Sequence, residues 1–231
     1  MSPNLADLFF SSFGETLLMV GVSGLIGTLA GVPLGVALYV AGGANARKAS
    51  RLAVLASYLT YALRATPSII ILAVAITFSH FVLGASAGLM AAIIPLIIIA
   101  TPFVARQTET ALQQASTSLT QAALDAGRRS EALRQLLPLA APGIVAGIGL
   151  TLACLVGYSA LAGALGGGGL GDYGIRHGYS EFRPLLLLAV VLALIVLAET
   201  AQVLGYGAAR LLGGEQTGKA GRLFSFLGRS R

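Results

Sequence analysis

Charge is what this chain lacks. Only 10% of its residues are Asp, Glu, Lys or Arg, where a soluble domain carries about a quarter. The few charges are clustered, and 56% of the residues are hydrophobic, with a mean hydropathy of +0.84. This excludes an ordinary soluble fold and predicts an all-α polytopic membrane protein. Cysteine is reduced to Cys154 in an apolar run, so no internal disulfide can form. The two histidines, His80 and His177, fall in different loops, which leaves a metal site without support. The N-terminus, MSPNLADLFF, has no basic n-region and no small-residue cleavage site, so no cleaved signal peptide is expected. There is no Walker lysine loop, no nucleophile paired with a base and no ligand cluster. No catalytic residue and no cofactor is therefore assigned, and the chain is not read as an enzyme. The net charge of +6 comes without a basic surface interleaved with aromatics, which excludes nucleic acid as a partner.

What is present is a series of long apolar runs. Spans are expected near residues 17–41, 52–83, 89–105, 140–164 and 184–207. Lys and Arg fall mostly in the loops on one side. Arg47, Lys48 and Arg51 mark the first loop as cytoplasmic, and Lys219, Arg222, Arg229 and Arg231 do the same for the tail 211–231. The N-terminus is then outside and the C-terminus cytoplasmic. Gly27, Gly31 and Gly35 line one face of the first span, for packing within one subunit or at a subunit interface. The glycine-rich stretch LGGGGLGDYGIRHGYSEFRP is expected as an external loop. Its G-x-G-x-x-G spacing is discarded as a dinucleotide site, because no strand precedes it. The basic, apolar segment after Arg222 suits either adhesion to anionic lipid or a frayed tail.

Several residues inside the spans are candidates for a gate or pathway. Arg64 either faces protein and water or snorkels to the headgroups, and Pro67 breaks the helix near the same level. Glu199 is the other charge inside a span. At 1.5 Å per residue both charges lie roughly 16–20 Å from their cytoplasmic markers, which suggests that they pair. Tyr158 and Ser159 either line the passage or, for Tyr158, anchor at the interface.

The largest polar stretch, from about Arg106 to Pro138, lies between the third and fourth spans and carries Arg106, Glu109, Asp125, Arg128, Arg129, Glu131 and Arg134. Within it Gln121-Ala122-Ala123, then Gly127, then Leu137-Pro138 resemble the Glu-Ala-Ala…Gly…Leu-Pro signature of ABC importer permeases. Ala122 and Ala123 keep a face small for close approach, Gly127 permits a sharp turn, and the flanking charges orient a soluble partner. Pro95, Pro102-Phe103-Val104-Ala105-Arg106 and Glu109 are similar to the approach to that motif in the amino-acid branch. Val156-Gly157-Tyr158-Ser159-Ala160, Gly167-Gly168-Gly169-Leu170-Gly171-Asp172 and Gly178-Tyr179 are similar to the methionine-importer type. The resemblance covers about residues 13–210. It departs at Gln121, where the motif has a glutamate, and in a coupling stretch about two residues shorter than the family pattern.

The resemblance implies short cytoplasmic coupling helices, with Gln121, Ala122, Ala123, Asp125, Gly127, Arg128 and Glu131 docking on a separate ATPase. It also implies two copies of this chain, two ATPase subunits, an external substrate-binding protein (periplasmic or lipid-anchored) and an inner-membrane location. The small-molecule cargo would be an amino acid, methionine first, with another small amino acid or an osmolyte as the alternative. A channel or carrier that works without ATP is the reading from another class; it requires transport by the chain alone.

Overall fold

A computed structural model describes residues 5–42, 66–83, 88–118 and 129–213. Among these residues six α-helices follow one another: α1 (Leu5–Gly42), α2 (Ser68–Leu83), α3 (Gly88–Ser118), α4 (Arg129–Ala162), the single-turn α5 (Gly169–Tyr173) and α6 (Pro184–Gly213). No strand occurs among the described residues. In hydrocarbon every backbone polar group must be satisfied within its own segment, and long helices of Leu, Ile, Val and Ala do so. Among the described residues α1, α3, α4 and α6 are long and apolar enough to cross a membrane. The apolar α2 has 16 residues, about 24 Å at 1.5 Å per residue and short of a 30 Å core. The earlier part of the span expected over 52–83 lies outside the described residues.

α3 is the centre of the bundle. Leu96 and Ala100 on it are fully buried, and they share a cluster with Met19 of α1, Leu72 of α2 and Leu155 of α4. Small residues set the α1–α3 distance. A Cβ placed on Gly31 would lie 2.6 Å from the Cβ of Val104 and 2.8 Å from the Thr101 carbonyl oxygen. Gly27 meets Ala100 and Gly35 meets Thr108 in the same way. The glycine face of the first span is thus used inside one subunit. Gly149 and Gly205 bring α4 and α6 together, each backbone resting on the other.

The glycine-rich stretch is not a plain loop. After α4 the backbone makes a wide π-type turn over Gly163–Gly167, enters α5, and leaves by a second wide turn over Gly174–Tyr179. Gly166, Gly168 and Gly169 have φ of 91°, 84° and 72°, a region that side chains rarely enter. Those glycines fold the segment back onto α1, where Leu170 and Tyr173 are buried against Leu8, Phe9 and Phe13. Local glycine content predicted irregular backbone; tertiary packing made it helical.

Candidate functional site

The polar stretch is carried by two helical arms. α3 does not stop at Arg106, where the apolar run ends, but continues to Ser118, roughly 18 Å further. α4 starts at Arg129, well before the apolar run expected from residue 140. Ala111, Leu112 and Ala115 of the first arm pack on Leu136, Ala140 and Ile144 of the second, with Val32, Val36 and Tyr39 of α1 alongside. Gly143 and Gly147 let the arms close, against Ala111 and Gln107 respectively. Charge on the first arm is tied down locally. Arg106 forms an ion pair with Glu109 at 2.7 Å, and Gln113 donates to the other Glu109 oxygen at 3.2 Å. Gln121, Ala122, Ala123, Asp125, Gly127 and Arg128 lie outside the described residues; Glu131 falls in the first turn of α4.

The gate and pathway candidates are spread over three helices. Pro67 caps α2: its carbonyl accepts from the Ile70 and Ile71 amides at 2.9 and 3.3 Å. The break expected at Pro67 in a longer helix depends on residues up to 65, which lie outside the described residues. Tyr158 is half-buried, edge-on to Phe103 with ring centroids 6.1 Å apart. Ser159 is buried, and its hydroxyl donates to the Val156 carbonyl at 2.7 Å. Glu199 stands on the exposed side of α6. Arg64 lies outside the described residues, and so does any test of its pairing with Glu199.

One polar constellation carried no local sequence signal. The Glu15 carboxylate accepts from the Gly169 amide at 2.7 Å, and the buried Thr16 hydroxyl accepts from the Leu170 amide at 2.9 Å. Tyr173 donates its phenol to the Leu5 carbonyl at 3.0 Å. Two side chains of α1 thus satisfy the first amides of α5, which have no partner within so short a helix. Beyond α5 the charges neutralise one another. Arg176 pairs with Asp172 at 2.7 Å, and Glu181 meets both His177 at 2.8 Å and Arg183 at 3.2 Å. The hydrogen bond from His177 and the nearby Arg183 charge hold the Glu181 carboxyl below its ordinary range.

A bundle of long apolar helices, two of which extend into packed polar arms, is an architecture suited to a membrane transport subunit. The chain belongs to the family of binding-protein-dependent transport system inner membrane components, whose model matches residues 31–212. As a member it is a transport component of the inner membrane, and ATP hydrolysis falls to a separate subunit. It is 36% identical over 202 residues to a probable D-methionine transport system permease protein, MetI, of Vibrio cholerae, covering 87% of this chain and 90% of that one. It is 39% identical over 165 residues to the D-methionine permease MetI of Escherichia coli K12, covering 71% and 76%. Its fold is similar to a chain of the MetNI methionine ABC transporter solved in inward-facing conformations. The TM-score is 0.80 at 38% identity, over 92% of this chain and 99% of that one.

Proposed function

We propose that this chain is the permease subunit of an ATP-driven importer for methionine. It works as a homodimer with two ATPase subunits and an external substrate-binding protein, N-terminus outside and C-terminus cytoplasmic. The observation that carries the reading is the likeness to the methionine transporter chain across 92% of this chain at 38% identity. The α3–α4 arms supply the physical means. ATP binding closes the ATPase pair and displaces the stretch around Gln121–Arg134. The arms are packed along Leu112 and Leu136, so they pass that displacement to the spans, which rock between inward- and outward-facing states. The four long helices and the shorter α2 among the described residues are few to enclose a passage alone, and a passage between two copies removes that difficulty.

The test is uptake of labelled methionine into proteoliposomes holding this chain, its ATPase and its binding protein. Uptake that requires ATP and all three proteins is expected, with excess unlabelled methionine competing and other amino acids competing weakly. Uptake by this chain alone would overturn the proposal in favour of a carrier or channel.

A further inference from the structure

α6 is the least covered of the long helices. Only 6% of its most apolar window is buried, against 33%, 56% and 39% for α1, α3 and α4. Val190 marks its buried side. Glu199 lies about two and a half turns further on, which places it diametrically opposite. Its edge is exposed at Leu192, Ile195 and Val203, and turns polar toward the C-terminal half through Gln202, Tyr206 and Arg210. Glu199 is about 22 Å from Pro184 and about 21 Å from Gly213, so it stands mid-way along the crossing. No donor among the described residues bonds its carboxyl, while the hydroxyl of the adjacent Thr200 is spent on the Val196 carbonyl at 2.6 Å.

A carboxyl half-way through a membrane and turned to lipid is among the costliest placements a helix can make. A carboxyl, an amide, a phenol and a guanidinium following one another down one edge need water or protein along its length. We infer that this edge of α6 faces a water-filled passage between two copies of the chain, with Glu199 of each copy presenting its carboxyl to the cargo. The inference rests on the homodimeric importer proposed above and adds the face that lines its passage. Two carboxylates facing each other across a twofold axis draw cargo bearing an ammonium group and repel anions. The opposite flank of α6, at Leu204, lies in an apolar groove of about 380 Å³ against α1 and α4, and no water is needed there.

The test uses the complete complex in proteoliposomes on a Cys154→Ser background, with a charged, membrane-impermeant methanethiosulfonate as probe. Glu199→Cys, Gln202→Cys and Tyr206→Cys are expected to react at least tenfold faster than Leu204→Cys. Modification at Glu199→Cys is also expected to stop uptake. If Glu199→Cys does not assemble, the other two positions decide. If the edge positions react no faster than Leu204→Cys while the background complex imports methionine, the edge meets lipid or protein; the inference falls and the importer stands. If the background complex shows no ATP-dependent uptake, the importer reading falls and this inference falls with it.

Discussion

Glu15 and Thr16 hold a segment that is 154 residues away in sequence, and their contributions are separable. Glu15→Ala removes a charged acceptor from the amide of the buried Gly169, a loss of about 1.5–3 kcal/mol for a hydrogen bond to a charged group. The purified chain in detergent should melt several degrees lower. Glu15→Gln keeps a carbonyl acceptor on the same stem and should recover more than half of that loss. Equal loss in both variants would mean that charge, not acceptor geometry, fixes α5. Thr108 is the converse case. It is fully buried, and its hydroxyl oxygen is without a hydrogen-bond partner among the described residues. Thr108→Val keeps the shape and deletes an unsatisfied polar group, so the melting temperature should hold or rise. These positions could not be found in advance. A polar residue at the edge of an apolar run reads the same whether it faces headgroups or caps a distant helix, and only the fold brings Glu15 to Gly169.

At the scale of elements, the apolar runs were legible and the helix ends were not. Hydropathy reports where hydrocarbon begins, whereas a helix ends where its backbone bonding ends. Hence α3 passes through Arg106 without interruption and α1 is already helical at Leu5, well ahead of the run expected from residue 17. The glycine spacing on α1 was legible as a packing face, because small residues every four positions thin one side of a helix. Its partner was not, since α3 and a second subunit would ask the same of it. The structure assigns it to α3, and a paired substitution checks this. Gly31→Leu puts bulk where even a Cβ would lie 2.6 Å from Val104, and should abolish a monodisperse peak on size exclusion in detergent. Gly21→Ala, with nothing within 4 Å of the added carbon, should be tolerated and gains up to about 1 kcal/mol of helix propensity. Tolerance of Gly31→Leu would contradict the α1–α3 contact.

For the whole molecule the issue is whether the arms act as levers or merely as a tether. The small residues and charges of the stretch beyond Ser118 read, in the sequence, as the docking surface proposed above; residues 119–128 lie outside the described residues. The rigidity of what carries it was not legible, because that depends on Leu112 meeting Leu136 across two helices. If the arms are levers, loosening their packing should separate ATP hydrolysis from transport. Leu136→Ala leaves a cavity in a side chain 2% exposed, a loss of about 2 kcal/mol or more, without touching the stretch around Gln121–Arg134. The complex should still assemble and hydrolyse ATP near the normal rate, while uptake per ATP falls severalfold. Replacement of Gly127 by Val acts at the other end of the same lever. It should weaken retention of the ATPase on a tagged permease, and hydrolysis and uptake should fall together. A tether makes a different prediction: Leu136→Ala would leave the ratio of uptake to hydrolysis unchanged, because a flexible connection loses nothing when its base is loosened. The ratio, measured in the same proteoliposomes, therefore separates a mechanical linkage from simple attachment.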